Sequence, residues 1–122
     1  MDSILTSIKK LLGIAEDYTQ FDQDIILHIN SVFLTLSQLG VGPDNGFFVT
    51  DASDEWADYI SNDDTLLNAV KTYMFLKVKM LFDPSLTSSV TELMKEEVKE
   101  IEWRLNVYVD PPSVLEYWSK NE

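Results

Sequence analysis

Thr65-Leu66-Leu67-Asn68-Ala69-Val70-Lys71-Thr72-Tyr73-Met74-Phe75-Leu76-Lys77-Val78-Lys79-Met80-Leu81-Phe82, followed by Asp83-Pro84, is the stretch that decides the fold. Leu66, Ala69, Tyr73, Leu76 and Met80 recur at helical steps, and Leu67, Val70, Met74, Val78 and Leu81 form a second row beside them. Rows this wide leave little of the helix circumference polar, so the spacing predicts a buried central helix over about 65–82. Lys71, Lys77 and Lys79 reach outward along their alkyl stems. Asn62-Asp63-Asp64 supplies the N-cap, where carboxylates suit the positive helix end. Asp83-Pro84 stops the helix, because the residue before a proline is pushed out of helical conformation.

On the N-terminal side a second amphipathic helix is predicted from about Asp22 to Leu39, ahead of Gly40. Ile25, Ile29, Val32, Leu36 and Leu39 mark its apolar row, widened by Ile26 and Phe33. An earlier, shorter helix spans about Ser3 to Leu12, with Gly13 as its stop. Gly40 to Asp51 reads as a loop: Gly42-Pro43 and Asp44-Asn45-Gly46 are turn signals, and Phe47-Phe48-Val49-Thr50 has strand-like composition. A short helix carrying Trp56 follows at about Ser53–Ile60. On the C-terminal side, Ser89 and Glu92 have capping-box spacing and open a helix from about Val90 to Asn106. Its inner row is Val90, Met94, Val98, Ile101 and Leu105, and Glu100–Arg104 and Glu96–Lys99 are set to pair outside. Val107-Tyr108-Val109 reads as extended, and Asp110-Pro111-Pro112 breaks away. The fold class is therefore all-α: a small bundle of about four to five helices, with a short extended segment and an extended C-terminal tail.

Composition narrows the function. A chain of 122 residues builds one domain, and 45% hydrophobic content is that of an ordinary globular protein. Against 21 Asp and Glu stand 9 Lys and Arg, a net charge of -12. Nucleic-acid readers need clustered cations to displace counterions, and anionic membranes repel such a surface. The absence of cysteine excludes disulfides, thiolate metal sites and a thiol nucleophile. No basic segment followed by a long apolar run marks a signal peptide, and no apolar run approaches the about 20 residues of a membrane span. These features predict a soluble protein made in the cytoplasm.

Candidate chemistry is thin. His28 is the one histidine, with no serine or second histidine set to partner it as a base, so it reads as a surface or half-buried side chain. Asp17, Asp22 and Asp24 lack the calcium-loop pattern and read as solvated charges at a helix start. Glu96-Glu97-Val98-Lys99-Glu100 has the EExxE form with which all-helical nucleotide pyrophosphohydrolases hold magnesium. Those enzymes need a later ExxD, and Glu116-Tyr117-Trp118-Ser119 lacks the aspartate. A charged outer helix face is the better account. No enzyme, cofactor or metal site is expected.

Several segments carry a resemblance. Leu39-Gly40-Val41-Gly42-Pro43 with Gly46-Phe47, then Trp56 and Ile60, then Val70 to Pro84, then Glu102-Trp103-Arg104-Leu105-Asn106-Val107 together resemble the small head–tail connector (adaptor, or head-completion) proteins of tailed phages of Gram-positive bacteria. The resemblance covers about residues 1 to 107. Phe82-Asp83-Pro84 and Trp103-Arg104-Leu105-Asn106 are its most specific parts. Lys79 stands where arginine is expected and Ser85 where a second proline is common, and the acidic, aromatic tail after Asp110 departs from the pattern altogether.

Membership implies a virion protein that forms a ring, commonly twelve-fold, beneath the portal. The ring extends the DNA channel, lets DNA pass without specific binding, and offers a platform to a tail or stopper protein. The residues are compatible with this: the apolar surface of the first helix exceeds what one short domain hides, and negative charge suits a conduit for DNA. An acidic DNA mimic that inhibits a DNA-binding enzyme is the alternative the charge allows. Residues 1–110 then form the connector domain and 111–122 a docking tail. In that tail Val114, Leu115, Tyr117 and Trp118 are too apolar to be idle, and they are expected to dock on a neighbouring subunit or the portal rather than on their own subunit.

Overall fold

The computed structural model describes residues 2–83 and 85–109. Five helices follow in order: α1 (Ile4–Leu11), α2 (Asp22–Gln38), α3 (Trp56–Tyr59), α4 (Asp64–Phe82) and α5 (Ser88–Val109). The class is all-α, as the periodicities require.

Helix α4 packs against α2 on one flank and α5 on another, while α1 lies on α2. Its two apolar rows explain this. Leu66 and Ala69 of the first row line a shallow recess with Leu105 and Tyr108 of α5. Tyr73, fully buried in the same row, donates a hydrogen bond from Oη to Glu102 at 2.6 Å. From the second row Val70, Met74 and Val78 are buried in the core that Ile25, Ile29, Val32, Phe33 and Leu36 of α2 complete. Asp63 caps α4 as expected, its Oδ1 accepting from the Leu66 backbone N–H at 3.0 Å.

Three expectations need correction. First, most of the apolar surface of α1 is covered: Ile4, Leu5 and Ile8 are all buried in the same core, and Leu11 at its end stays exposed. The reason is a tether at its start. Ile4 N–H donates to Asp54 O at 3.0 Å and Trp56 N–H to Asp2 O at 3.1 Å, so the entry to α1 pairs with the entry to α3. The Trp56 indole N–H then reaches Ser7 Oγ at 2.9 Å. Second, Phe47–Thr50 joins no strand. The Asn30 side chain takes both backbone groups of Val49, accepting its N–H at 2.7 Å and donating to its carbonyl at 3.0 Å, so no ladder partner is required. Third, α5 begins at Ser88, with Thr87 Oγ1 accepting from Val90 N–H, and Val107-Tyr108-Val109 is helical rather than extended. The β-branched composition of that last turn is overruled by its contacts: Tyr108 Oη donates to the Asp63 carboxylate at 2.9 Å, and Val109 packs beside Gly40. Val90, expected inside, is exposed.

The loop between α2 and α3 is held by an aromatic cluster in which Phe33 meets Tyr59 at 4.7 Å between centroids, Phe47 at 5.1 Å and Trp56 at 6.3 Å. Gly42 makes this approach possible. Its φ is +91°, and a Cβ there would sit 2.5 Å from the Tyr59 ring.

One charge lies inside. Lys9 is 2% exposed, and its ammonium donates to the carbonyls of Tyr18 at 2.7 Å and Glu16 at 3.0 Å. Asp22 Oδ1 stands 2.8 Å away, an ion pair by distance that misses hydrogen-bond alignment. These contacts fasten the 13–21 loop between α1 and α2. Lys9→Met is expected to lower unfolding free energy by about 3 kcal/mol, since it strands a shielded carboxylate and two carbonyls. Urea unfolding followed by circular dichroism measures this, and an unchanged midpoint would show that water substitutes for the ammonium.

Candidate functional site

The residues singled out for chemistry are dispersed. His28 is half-buried beside Phe21, Asp24, Leu81 and Phe82 in an open groove of about 450 Å3, with no hydroxyl nucleophile in its lining. Asp22 is committed to Lys9. Glu100 pairs with Arg104 at 2.6 Å, as its spacing predicted, while Glu96 and Glu97 face solvent. Among the described residues no group of three or more His, Asp or Glu is placed to hold a metal ion. A depression of about 590 Å3 lies over the start of α1 between Asp2, Ser3, Lys10 and Glu16, with charges of both signs in its walls. None of the described helices is long and apolar enough to cross a membrane. Val114, Leu115, Tyr117 and Trp118 lie outside the described residues.

Shifted groups are structural in position. Burial pushes the Tyr59 phenol above the ordinary tyrosine value. Burial does the same at Tyr73, reinforced by its hydrogen bond to Glu102 and the charge of that carboxylate. The bond to Asp63 raises Tyr108. The Asp51 carboxyl is held low by hydrogen bonds from Ser53, and Asp83 by those from Ser85 and then by Lys79.

The surface is more informative than any cleft. No carboxylate occurs between Ile25 and Pro43, or between Thr65 and Phe82, so the 21 acids fall on the loops, the first turns of α2 and α4, the short α3, α5 and the ends of the chain. On the outer side of α2, Leu27 is 68% and Leu34 62% exposed, and Phe48 of the following loop is 67% exposed. Leu34 and Phe48 border a groove of about 300 Å3 floored by Phe33, Phe47 and Gly46. On the outer side of α5, Leu93 and Trp103 are each 67% exposed. Sequence reasoning assigned none of these five a role. The signal was present for α2: Leu27 and Leu34 stand seven residues apart, off the row of Ile25, Ile29, Val32 and Leu36.

This arrangement defines a small helical protein with exposed apolar side chains on the outer sides of α2 and α5. The model of the family described as phage connector protein matches residues 4–112, and the chain belongs to that family. It is a family of structural proteins that work with other virion components at the head–tail junction. No curated protein and no solved structure matches the chain.

The buried phenols set an alkaline limit. A tyrosine whose folded-state pKa is raised keeps its proton while the unfolded chain releases its own, so stability is full below the ordinary value of 10.0 and falls as pH rises above it. Each such tyrosine contributes a slope of about 1.4 kcal/mol per pH unit in that window. Tyr73→Phe is expected to flatten the loss of stability above pH 10, read by urea unfolding at stepped pH; an unchanged slope would remove Tyr73 as its source.

Proposed function

We propose that the protein is a subunit of a ring beneath the portal, extending the DNA channel and connecting head to tail. The observation that carries this is the family match over almost the whole chain. Net charge supports it, since an acidic wall repels phosphates at short range and lets DNA slide without sticking. Residues 1–110 form the ring domain. Residues 111–122 are the docking tail, with Val114, Leu115, Tyr117 and Trp118 as anchors on a neighbouring subunit or the portal. The other partner is a tail or stopper protein. The subunit is made in the host bacterial cytoplasm and ends in the virion, and it catalyses no reaction. A DNA mimic fits less well, because the uncharged outer face of α2 offers nothing that imitates phosphates.

Deleting residues 111–122 is expected to leave the helical circular dichroism and melting midpoint nearly unchanged while abolishing portal binding or ring formation, read by co-sedimentation with portal. Raising ionic strength from about 0.01 to about 0.15 M, which shortens the screening length severalfold, is expected to strengthen assembly of the intact chain. A truncated protein that melts many degrees lower and still binds would place the tail in its own core.

A further inference from the structure

We propose that the outer face of α5 in one subunit docks on the outer face of α2 in the next copy, with Trp103 and Leu93 of the first seated against Leu27, Leu34 and Phe48 of the second. This rests on the ring reading above and names the two faces that meet. The placement of the helices is the first argument. Both α2 and α5 pack on α4, and both sets of exposed apolar side chains lie outside the buried rows that do so. One subunit therefore carries two different unpartnered faces on two flanks. A contact between unlike faces is head-to-tail, and it repeats from copy to copy until it closes.

Charge selects the pairing. Two copies at -12 each repel, and that repulsion is worst where carboxylates meet carboxylates. The outer face of α5 carries Glu92, Glu96, Glu97 and Glu100 among Lys95, Lys99 and Arg104, so two α5 faces bring together fourteen charged groups, with Glu96 and Glu97 on either side in no ion pair among the described residues. The α2 face presents no acid from Ile25 to Pro43 and replaces charge with Ser31, Ser37 and Gln38. It is the surface on which an acidic neighbour lies without opposition. The groove between Leu34 and Phe48, lined by Phe33 and Phe47 together with Asn30, Ser37 and Asn45, gives a recess for the indole, and a buried aromatic ring removes about 150–250 Å2 from water. The five side chains are the centre of such an interface, within the about 800 Å2 that a standard contact covers on each partner.

The test uses full-length chains in sedimentation velocity at high salt, with folding checked by circular dichroism. Leu34→Glu and Trp103→Glu are each expected to weaken self-association at least tenfold, and Phe48→Ser to weaken it in the same direction. An equimolar mixture of the first two is expected to form a one-to-one pair and nothing larger, because each retains the face that the other lacks. If the parent forms rings and either Glu variant does so equally, or if the mixture stays monomeric, this pairing is wrong while the ring reading stands. Variants that form rings like the parent but lose portal binding would assign these faces to the portal and overturn the proposal. A parent that remains monomeric at every concentration and salt, with portal present, would overturn the ring reading itself.

Discussion

Helix α4 is apolar over more of its circumference than one neighbour is able to cover. Two rows of side chains run along it, and burying both takes packing partners on two flanks. That requirement sets the architecture: α2 takes the flank of Val70, Met74 and Val78, α5 the flank of Leu66, Ala69 and Tyr73, and α1 packs on α2. The hydrophobic area removed from water along these contacts is the main driving term, at about 25 cal/mol per Å2. Polar contacts then fix the register. Tyr73 with Glu102 and Tyr108 with Asp63 tie α5 to α4 at two heights, and Asp63 serves both the cap of α4 and the last turn of α5.

The connecting segments are held by side chains standing in for secondary structure. Asn30 gives Val49 the two hydrogen bonds a neighbouring strand would have supplied. The Lys9 ammonium gathers two loop carbonyls and a carboxylate that would otherwise lie poorly solvated. The rings of Phe33, Phe47, Trp56 and Tyr59 fill the space beneath the long loop, and only a residue without Cβ fits at position 42 against them. A domain of this size thus orders a long connection between α2 and α4 without a sheet.

Much of the fold was legible in the sequence because its largest helices are strongly periodic. The row of α2, the rows of α4 apart from Leu81, which is exposed, and the Asp63 cap follow from spacing alone. What escaped was decided by distant partners. Nothing local in Val107-Tyr108-Val109 announces Asp63 or Gly40, so β-branched composition suggested an extended strand where a helix forms. The burial of α1 depends on the pairing of Ser3 with Glu55, across half the chain, and so its apolar residues looked surplus. Lys9 sits four residues after Leu5, on the buried side, yet a lysine there reads as exposed until its three oxygens are in place. The outer faces were the hardest part. A single exposed Leu or Trp is ordinary on a soluble protein, and these gain meaning only when the fold shows which of them share a flank and which carboxylates are absent beside them.

The uncharged run of α2 also has a cost before the protein is folded. Ile25 to Leu36 is rich in Ile, Leu, Val and Phe, and no Asp, Glu, Lys, Arg or Pro interrupts it. Charged or proline gatekeepers are what usually keep such a stretch from pairing with its like in a newly made chain. Here α1, made earlier, packs on part of α2, and the rest of its buried row is covered only when α4, which lies later in the chain, arrives. Synthesis proceeds from the N-terminus, so α2 emerges well before α4 and waits with part of its apolar row uncovered. A face suited to meeting neighbours in the finished particle is therefore also the point at which a crowded host cell tests the folding of each new subunit.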